Sequence, residues 1–111
     1  MIVGQALAMC LAQLTLCQAA SFNCQPYLAR RACPELAICS DPGLSRLDDS
    51  MASLYFDARS RMPASMTTGF RDYQREWLAK RGACGCDVSC LESAYRSQID
   101  GLRKTINQMN Q

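Results

Sequence analysis

Two stripes of apolar residues at helical spacing flank a short segment rich in cysteine and glycine. Before the segment lie Phe70, Tyr73, Trp77 and Leu78, and after it lie Val88, Leu91, Tyr95, Ile99, Leu102 and Ile106. Steps of three and four residues place such sets on one face of an α-helix. The segment 82–87 between them is too short and too glycine-rich to be helical, so the chain turns there. The pattern predicts a helical hairpin with a cysteine-rich bend.

A third amphipathic helix is predicted ahead of the hairpin, from Leu44 to about Arg61. Asp41 or Ser40 can cap its start, and Pro63 ends it. The fold class is therefore all-α, a small three-helix domain made of the hairpin and one packed helix. The expected core consists of Leu44, Leu47, Met51, Leu54, Tyr55, Phe70, Trp77, Leu91, Tyr95, Ile99 and Leu102.

The hairpin helices have their own start and stop signals. The first is predicted from about Thr68 to Arg81, with Gly82 as its stop. Its candidate caps are Ser65, Thr67 and Thr68. The second is predicted to start at a capping box, with Ser89 as the N-cap and Glu92 reaching back, and to run to about Asn107.

Residues 1–20 carry no charge and end in small residues. This is typical of a secretory signal peptide, and we expect cleavage after Ala20. The alternative is a membrane anchor, but three glutamines interrupt a segment that is barely long enough to span a bilayer. The predicted organisation is a signal peptide over 1–20, an irregular arm over 21–43 and a helical body over 44–111. Residues 21–111 form a single domain, with no integral membrane span after cleavage.

Cysteine is abundant, with 8 in 111 residues. Cleavage after Ala20 leaves six: Cys24, Cys33, Cys39, Cys84, Cys86 and Cys90. An even number of cysteines in a small exported domain predicts a disulfide framework, and six cysteines allow fifteen connectivities. A redox or metal site at Cys84-Gly85-Cys86 is the weaker interpretation, because no histidine or Cys-x-x-Cys motif accompanies it.

Composition narrows the functions further. Histidine is absent, and the sequence has no paired-carboxylate motif of the kind used in general acid–base catalysis. We therefore predict no enzyme, no metal site and no cofactor. The 12 basic and 10 acidic residues are interspersed, which argues against a nucleic-acid partner. Gln74, Trp77 and Arg81 share one helical face. Trp77 is expected to anchor the core and Arg81 to pair with Asp48; the alternative is a surface that contacts a partner.

The order of the motifs resembles the lysozyme-inhibitor LprI-type domain family over almost all of residues 21–111. The matching segments are Ser21-Phe22-Asn23-Cys24, Ile38-Cys39, Leu44-Ser45-Arg46-Leu47-Asp48, Leu54-Tyr55, Gln74-Arg75-Glu76-Trp77-Leu78 with Arg81 and Cys84, and Cys90-Leu91 with Tyr95 and Ile99. Asn23 replaces the usual aspartate, the span from Cys24 to Cys39 is longer than expected, and Cys33 and Cys86 are additional.

The resemblance implies the pairs Cys24–Cys39 and Cys84–Cys90, and the two additional cysteines would then pair as Cys33–Cys86. It also implies a periplasmic or secreted binding protein that inhibits lysozyme by occluding its cleft, which carries two carboxylates. The candidate contacts with the enzyme are Arg30 and Arg31 in the arm, together with Gln74 and Arg81 in the body. The alternative is a structural or interaction module of the cell envelope, since a net charge of +2 provides no long-range attraction toward a basic enzyme.

Overall fold

A computed structural model of the chain describes residues 20–111, which are all-α. Five helices follow one another, and no strand is present in this range. They are α1 (Gln25–Arg30), α2 (Glu35–Ser40), α3 (Pro42–Arg61), α4 (Ala64–Ala83) and α5 (Val88–Met109). The three long helices are the predicted body. Among residues 20–111, no helix is long and apolar enough to cross a membrane. The predicted signal peptide, apart from Ala20, lies outside the described residues.

The arm over 21–43 is more regular than the sequence predicted. It contains α1 and α2, six residues each, and only the turn starting at Pro34 was expected. Pro26 stands in the first turn of α1, where a missing N–H costs no intrahelical hydrogen bond. The prolines therefore limit the length of these helices and still permit their formation.

An aspartate marks the start of α3, and a proline follows its end. The Asp41 carboxylate caps the helix by accepting a hydrogen bond from the Leu44 amide at 3.0 Å. Met62, which precedes a proline, is extended and ends the helix. Pro63 is extended as well and directly precedes α4, so the candidate caps Ser65, Thr67 and Thr68 already lie inside that helix and the prediction of a cap there was wrong.

The bend between α4 and α5 is shorter than predicted. Gly82 and Ala83 remain helical, and the turn is made at Gly85, which has a φ of 58°. Glycine adopts this left-handed conformation without a steric penalty. Asp87, and not Ser89, is the N-cap of α5, because its carboxylate accepts from the Cys90 amide at 3.1 Å. The capping-box prediction at Ser89 was wrong, since an equally good cap lay two residues earlier.

The core lies mainly between α3 and α5, with α4 and α2 closing it. Its buried members include Tyr55, Trp77, Leu91 and Tyr95. Leu47 and Leu54 are only partly buried at its edge. The face of α3 that is fully buried instead follows positions 44, 48, 51, 55 and 58, so that an aspartate occupies a central place in the stripe.

Three disulfides connect these elements. They join Cys24 to Cys39, Cys33 to Cys86 and Cys84 to Cys90, which are the pairs that the resemblance and the two additional cysteines suggested. The first ties the start of α1 to α2, and the third closes the α4–α5 bend. Cys33–Cys86 joins the arm to that bend. Within residues 20–111 no cysteine is free, and three disulfides in so small a domain fit an extracellular location.

Candidate functional site

The carboxylate of Asp48 is the centre of a buried polar cluster. Asp48 is 0% exposed on the inner face of α3. Its Oδ1 accepts a hydrogen bond of 2.6 Å from the Tyr95 hydroxyl on α5. Its Oδ2 accepts from both the amide and the hydroxyl of Ser21, at 2.7 and 2.6 Å. We call Asp48, Arg81, Tyr95, Glu35 and Ser21 the Asp48 cluster.

Arg81 brings the positive charge to this cluster from the last turn of α4. One guanidinium nitrogen lies 3.6 Å from Asp48 Oδ1 and 3.3 Å from the Tyr95 hydroxyl. The other lies 3.3 Å from Glu35 Oε2 on α2. The Arg81 side chain is only 10% exposed. The predicted pairing of Arg81 with Asp48 is thus present, and the residue is a structural ion-pair partner with little surface to offer.

Tyr95 is held in its neutral form by this environment. Burial raises the pKa of its hydroxyl, and the negative charge and hydrogen bond of Asp48 raise the pKa further, while Arg81 acts in the opposite direction. The hydroxyl therefore stays protonated and continues to donate to Asp48. Tyr95 therefore does not exchange protons with a substrate near neutral pH.

Gln74 belongs to a second polar network between α4 and α5. Its amide oxygen accepts from the Gln98 side chain at 2.8 Å, and the Gln98 oxygen accepts from the Tyr73 hydroxyl at 3.0 Å. The Trp77 indole, buried as expected, donates to the Ala94 carbonyl at 3.0 Å. The face that carries Gln74, Trp77 and Arg81 thus holds the hairpin together.

An aromatic cavity of about 360 Å³ adjoins the Asp48 cluster. We define it by Phe22, Tyr27, Tyr55, Phe56 and Leu78, with Asp48, Glu35 and Arg81 also lining it. Phe56 and Leu78 remain 59% and 39% exposed, although both are large and apolar. An apolar cavity with a few charged groups at its edge is the usual form of a binding site in a small domain.

The Arg30–Arg31 turn lies beside this cavity. The Arg30 guanidinium is 5.5 Å from the centre of the Tyr27 ring, and that ring lines the cavity. Arg31 ends α1 in the left-handed region, with a φ of 54°. Both arginines are exposed. The nearby Cys33–Cys86 disulfide fixes the turn to the α4–α5 bend. Of the two predicted basic residues, Arg30 borders the cavity through the Tyr27 ring, and Arg31 follows it in the chain.

Sequence reasoning missed three members of this arrangement: Glu35, Phe56 and Ser21. Glu35 and Ser21 are distant in the chain from their partners, and no spacing rule connects them. Phe56 had a detectable signal, because it is an aromatic residue on the polar side of the α3 stripe. No group of side chains suited to a metal ion occurs among residues 20–111.

Comparisons with family models, with curated proteins and with solved structures gave no match to this chain.

Proposed function

We propose that the chain is an exported binding protein of the LprI type that inhibits lysozyme. In this proposal residues 1–20 direct export and are removed after Ala20, and residues 21–111 act in the periplasm or outside the cell. The closed disulfides support export, because such bonds persist in oxidising compartments.

The observation that carries the proposal is the position of the Arg30–Arg31 turn beside the aromatic cavity. Tight protein interfaces combine a desolvated aromatic centre with arginine contacts. Here Phe56 and Leu78 supply exposed apolar surface, and the Arg30 guanidinium lies against the Tyr27 ring that lines the same cavity. The disulfide from Cys33 restrains the turn before binding, which reduces the entropy lost on association.

The proposed mechanism is occlusion and involves no chemistry by the inhibitor. A lysozyme cleft carries two carboxylates, one acting as the acid and one as the nucleophile. Guanidinium groups form charge-assisted hydrogen bonds with carboxylates, often in bidentate geometry. Arg30 and Arg31 would occupy the carboxylates, while the rings around the cavity cover the sugar-binding surface next to them.

A second candidate is an interaction module that docks on another envelope protein. The same cavity favours it, because an apolar contact does not depend on attraction between net charges. The chain's formal net charge of +2 gives no long-range steering toward a basic enzyme. The two functions differ in whether the arginines or the cavity rings dominate binding.

A cell-wall lysis assay with the exported protein tests the first function. We expect inhibition at micromolar concentration, and we expect Arg30→Gln with Arg31→Gln to weaken it tenfold or more, about 1.4 kcal/mol per factor of ten. Arg103→Gln is the control, since Arg103 is an exposed arginine of α5 away from the cavity. No inhibition at micromolar excess would remove lysozyme as the target.

The second function is tested by capture of partners from an envelope extract. Phe56→Ser should abolish capture, whereas Met66→Ser should not, because Met66 is a similarly exposed apolar residue, at 55%, outside the cavity. Capture that survives Phe56→Ser would exclude the cavity as the docking surface.

A further inference from the structure

The backbone nitrogen of Ser21 lies against the buried carboxylate of Asp48. The distance from this nitrogen to Asp48 Oδ2 is 2.7 Å, and the Ser21 hydroxyl reaches the same oxygen at 2.6 Å. In the unprocessed chain the nitrogen is a neutral amide. It is also the nitrogen that cleavage after Ala20 would release as a free amino group.

The charges around Asp48 do not balance in the unprocessed chain. Two helices face its carboxylate: α4 contributes the Arg81 guanidinium and α5 the neutral Tyr95 hydroxyl. Glu35 on α2 contacts the other guanidinium nitrogen of Arg81. Two carboxylates thus share one guanidinium, which leaves a net charge of −1 in a largely buried cluster. A buried charge is costly unless it is paired, so this cluster favours one further cation.

We propose that the α-ammonium group created by cleavage after Ala20 forms an ion pair with the buried carboxylate of Asp48 and so completes the cluster. The inference rests on the export and cleavage proposed above and gives the cut itself a structural role. Hydrolysis adds water across the Ala20–Ser21 amide; the carbonyl carbon of Ala20 becomes a carboxylate, and the Ser21 nitrogen becomes an amine that takes up a proton. The new cation arises where the missing charge is needed, without movement of the backbone.

Cleavage after Ala20 would thereby stabilise the folded state. Two carboxylates face two cations in the processed chain, and the first residue is held by α3 through both its nitrogen and its hydroxyl. Among residues 20–111, the only one that the cut removes is Ala20, which is partly buried against the core. A chain that retains even one residue before Ser21 keeps a neutral amide at Asp48 and carries its ammonium elsewhere.

The pH dependence has a defined sign. An opposite charge 2.7 Å from the nitrogen favours the protonated amine, so the pKa of the α-amino group should rise above its ordinary value of about 7.7–8.0. A raised pKa in the folded state contributes stability that is complete below about pH 8 and is lost as the pH rises through the folded value.

The test uses the full chain, expressed with its own leader and isolated from the exported fraction. N-terminal sequencing identifies the first residue, and NMR of the Ser21 Cα follows the titration of the amine. Two variants provide the comparison. One inserts a threonine between Ala20 and Ser21, which moves the ammonium by one residue and keeps Asp48; the other is Asp48→Asn, which removes the anion.

We expect a chain that begins at Ser21 and whose amine titrates at least one unit above pH 8, a tenfold gain in proton affinity. In the insertion variant the amine should titrate at its ordinary value. This comparison does not depend on whether the separate Asp48→Asn variant folds. An exported chain that begins at Ser21 but shows an ordinary amine pKa would overturn this inference and leave the export proposal intact. A different first residue would overturn the processing step and the inference together.

Discussion

The Cys33–Cys86 disulfide closes the longest loop in the domain. Its sequence separation is 53 residues, against 6 for Cys84–Cys90. A cross-link stabilises the folded state by restricting the unfolded chain, and the effect grows with loop length. The remaining disulfides provide no shorter path along the chain between Cys33 and Cys86. For these two loop lengths the expected contributions are about 4 and about 2 kcal/mol.

The matched experiment compares two double variants. Cys33→Ser with Cys86→Ser removes the long link, and Cys84→Ser with Cys90→Ser removes the short one. Each pair joins one half-buried and one exposed cysteine, so both variants lose similar packing and differ mainly in loop length. Trp77 is the single tryptophan and is 6% exposed, so its fluorescence reports unfolding in urea.

The expected result is a larger loss for the long link. With a slope of roughly 1–2 kcal/mol per molar urea for a small domain, the unfolding midpoint should fall by roughly 2–4 M for the Cys33–Cys86 variant and by roughly 1–2 M for the other. Equal losses, or a greater loss from the short link, would refute the reasoning from loop length.

Three further predictions concern single side chains. Arg81→Met leaves a buried carboxylate without its cation and should lower the free energy of unfolding in urea by about 3–5 kcal/mol. Gly82→Ala should raise it by about 0.5–1 kcal/mol, because a Cβ at this helical position meets no atom within 4 Å. Gly101→Ala should not raise the free energy of unfolding, since a Cβ there would lie 2.8 Å from the Tyr73 hydroxyl. The pKa of Tyr95 is raised in the folded state, so above about pH 10 its hydroxyl ionises more readily in the unfolded chain. The folded state should therefore lose stability as the pH rises above that value. Thermal unfolding of Tyr95→Phe should show a smaller loss.

Each of these has a contradicting outcome. A loss below about 1 kcal/mol for Arg81→Met would mean that the pair is screened like a surface salt bridge. Equal gains at both glycines would show that Tyr73 moves aside freely. An unchanged alkaline slope in Tyr95→Phe would assign that slope to other groups.

The long helices were predictable because each carries its own local signals. The stripe from Leu91 to Leu102 repeats at regular steps, Asp41 precedes Pro42 at a helix start, and Pro63 interrupts the chain. The start of α5 was misplaced because Asp87 and Ser89 are both good caps, and only the turn at Gly85 decides between them. Helix α1 has no buried residue and hence no apolar stripe to detect.

The cluster and the cavity were less predictable because they depend on distant contacts. Asp48 was named as a partner for Arg81 from the sequence, but Glu35 was not, and it reaches Arg81 across 46 residues. Ser21 reaches Asp48 across 27 residues. Neither contact follows a helical or strand period. They depend on how the Cys24–Cys39 and Cys33–Cys86 links position the arm.

The most direct test of an exported, cross-linked domain is to isolate the protein from its own cells and determine its first residue and its free thiols together. We expect a chain that begins at Ser21 and contains no titratable thiol. A chain that retains residues 1–20 and carries reduced cysteines would contradict both the envelope role and the disulfide-braced fold.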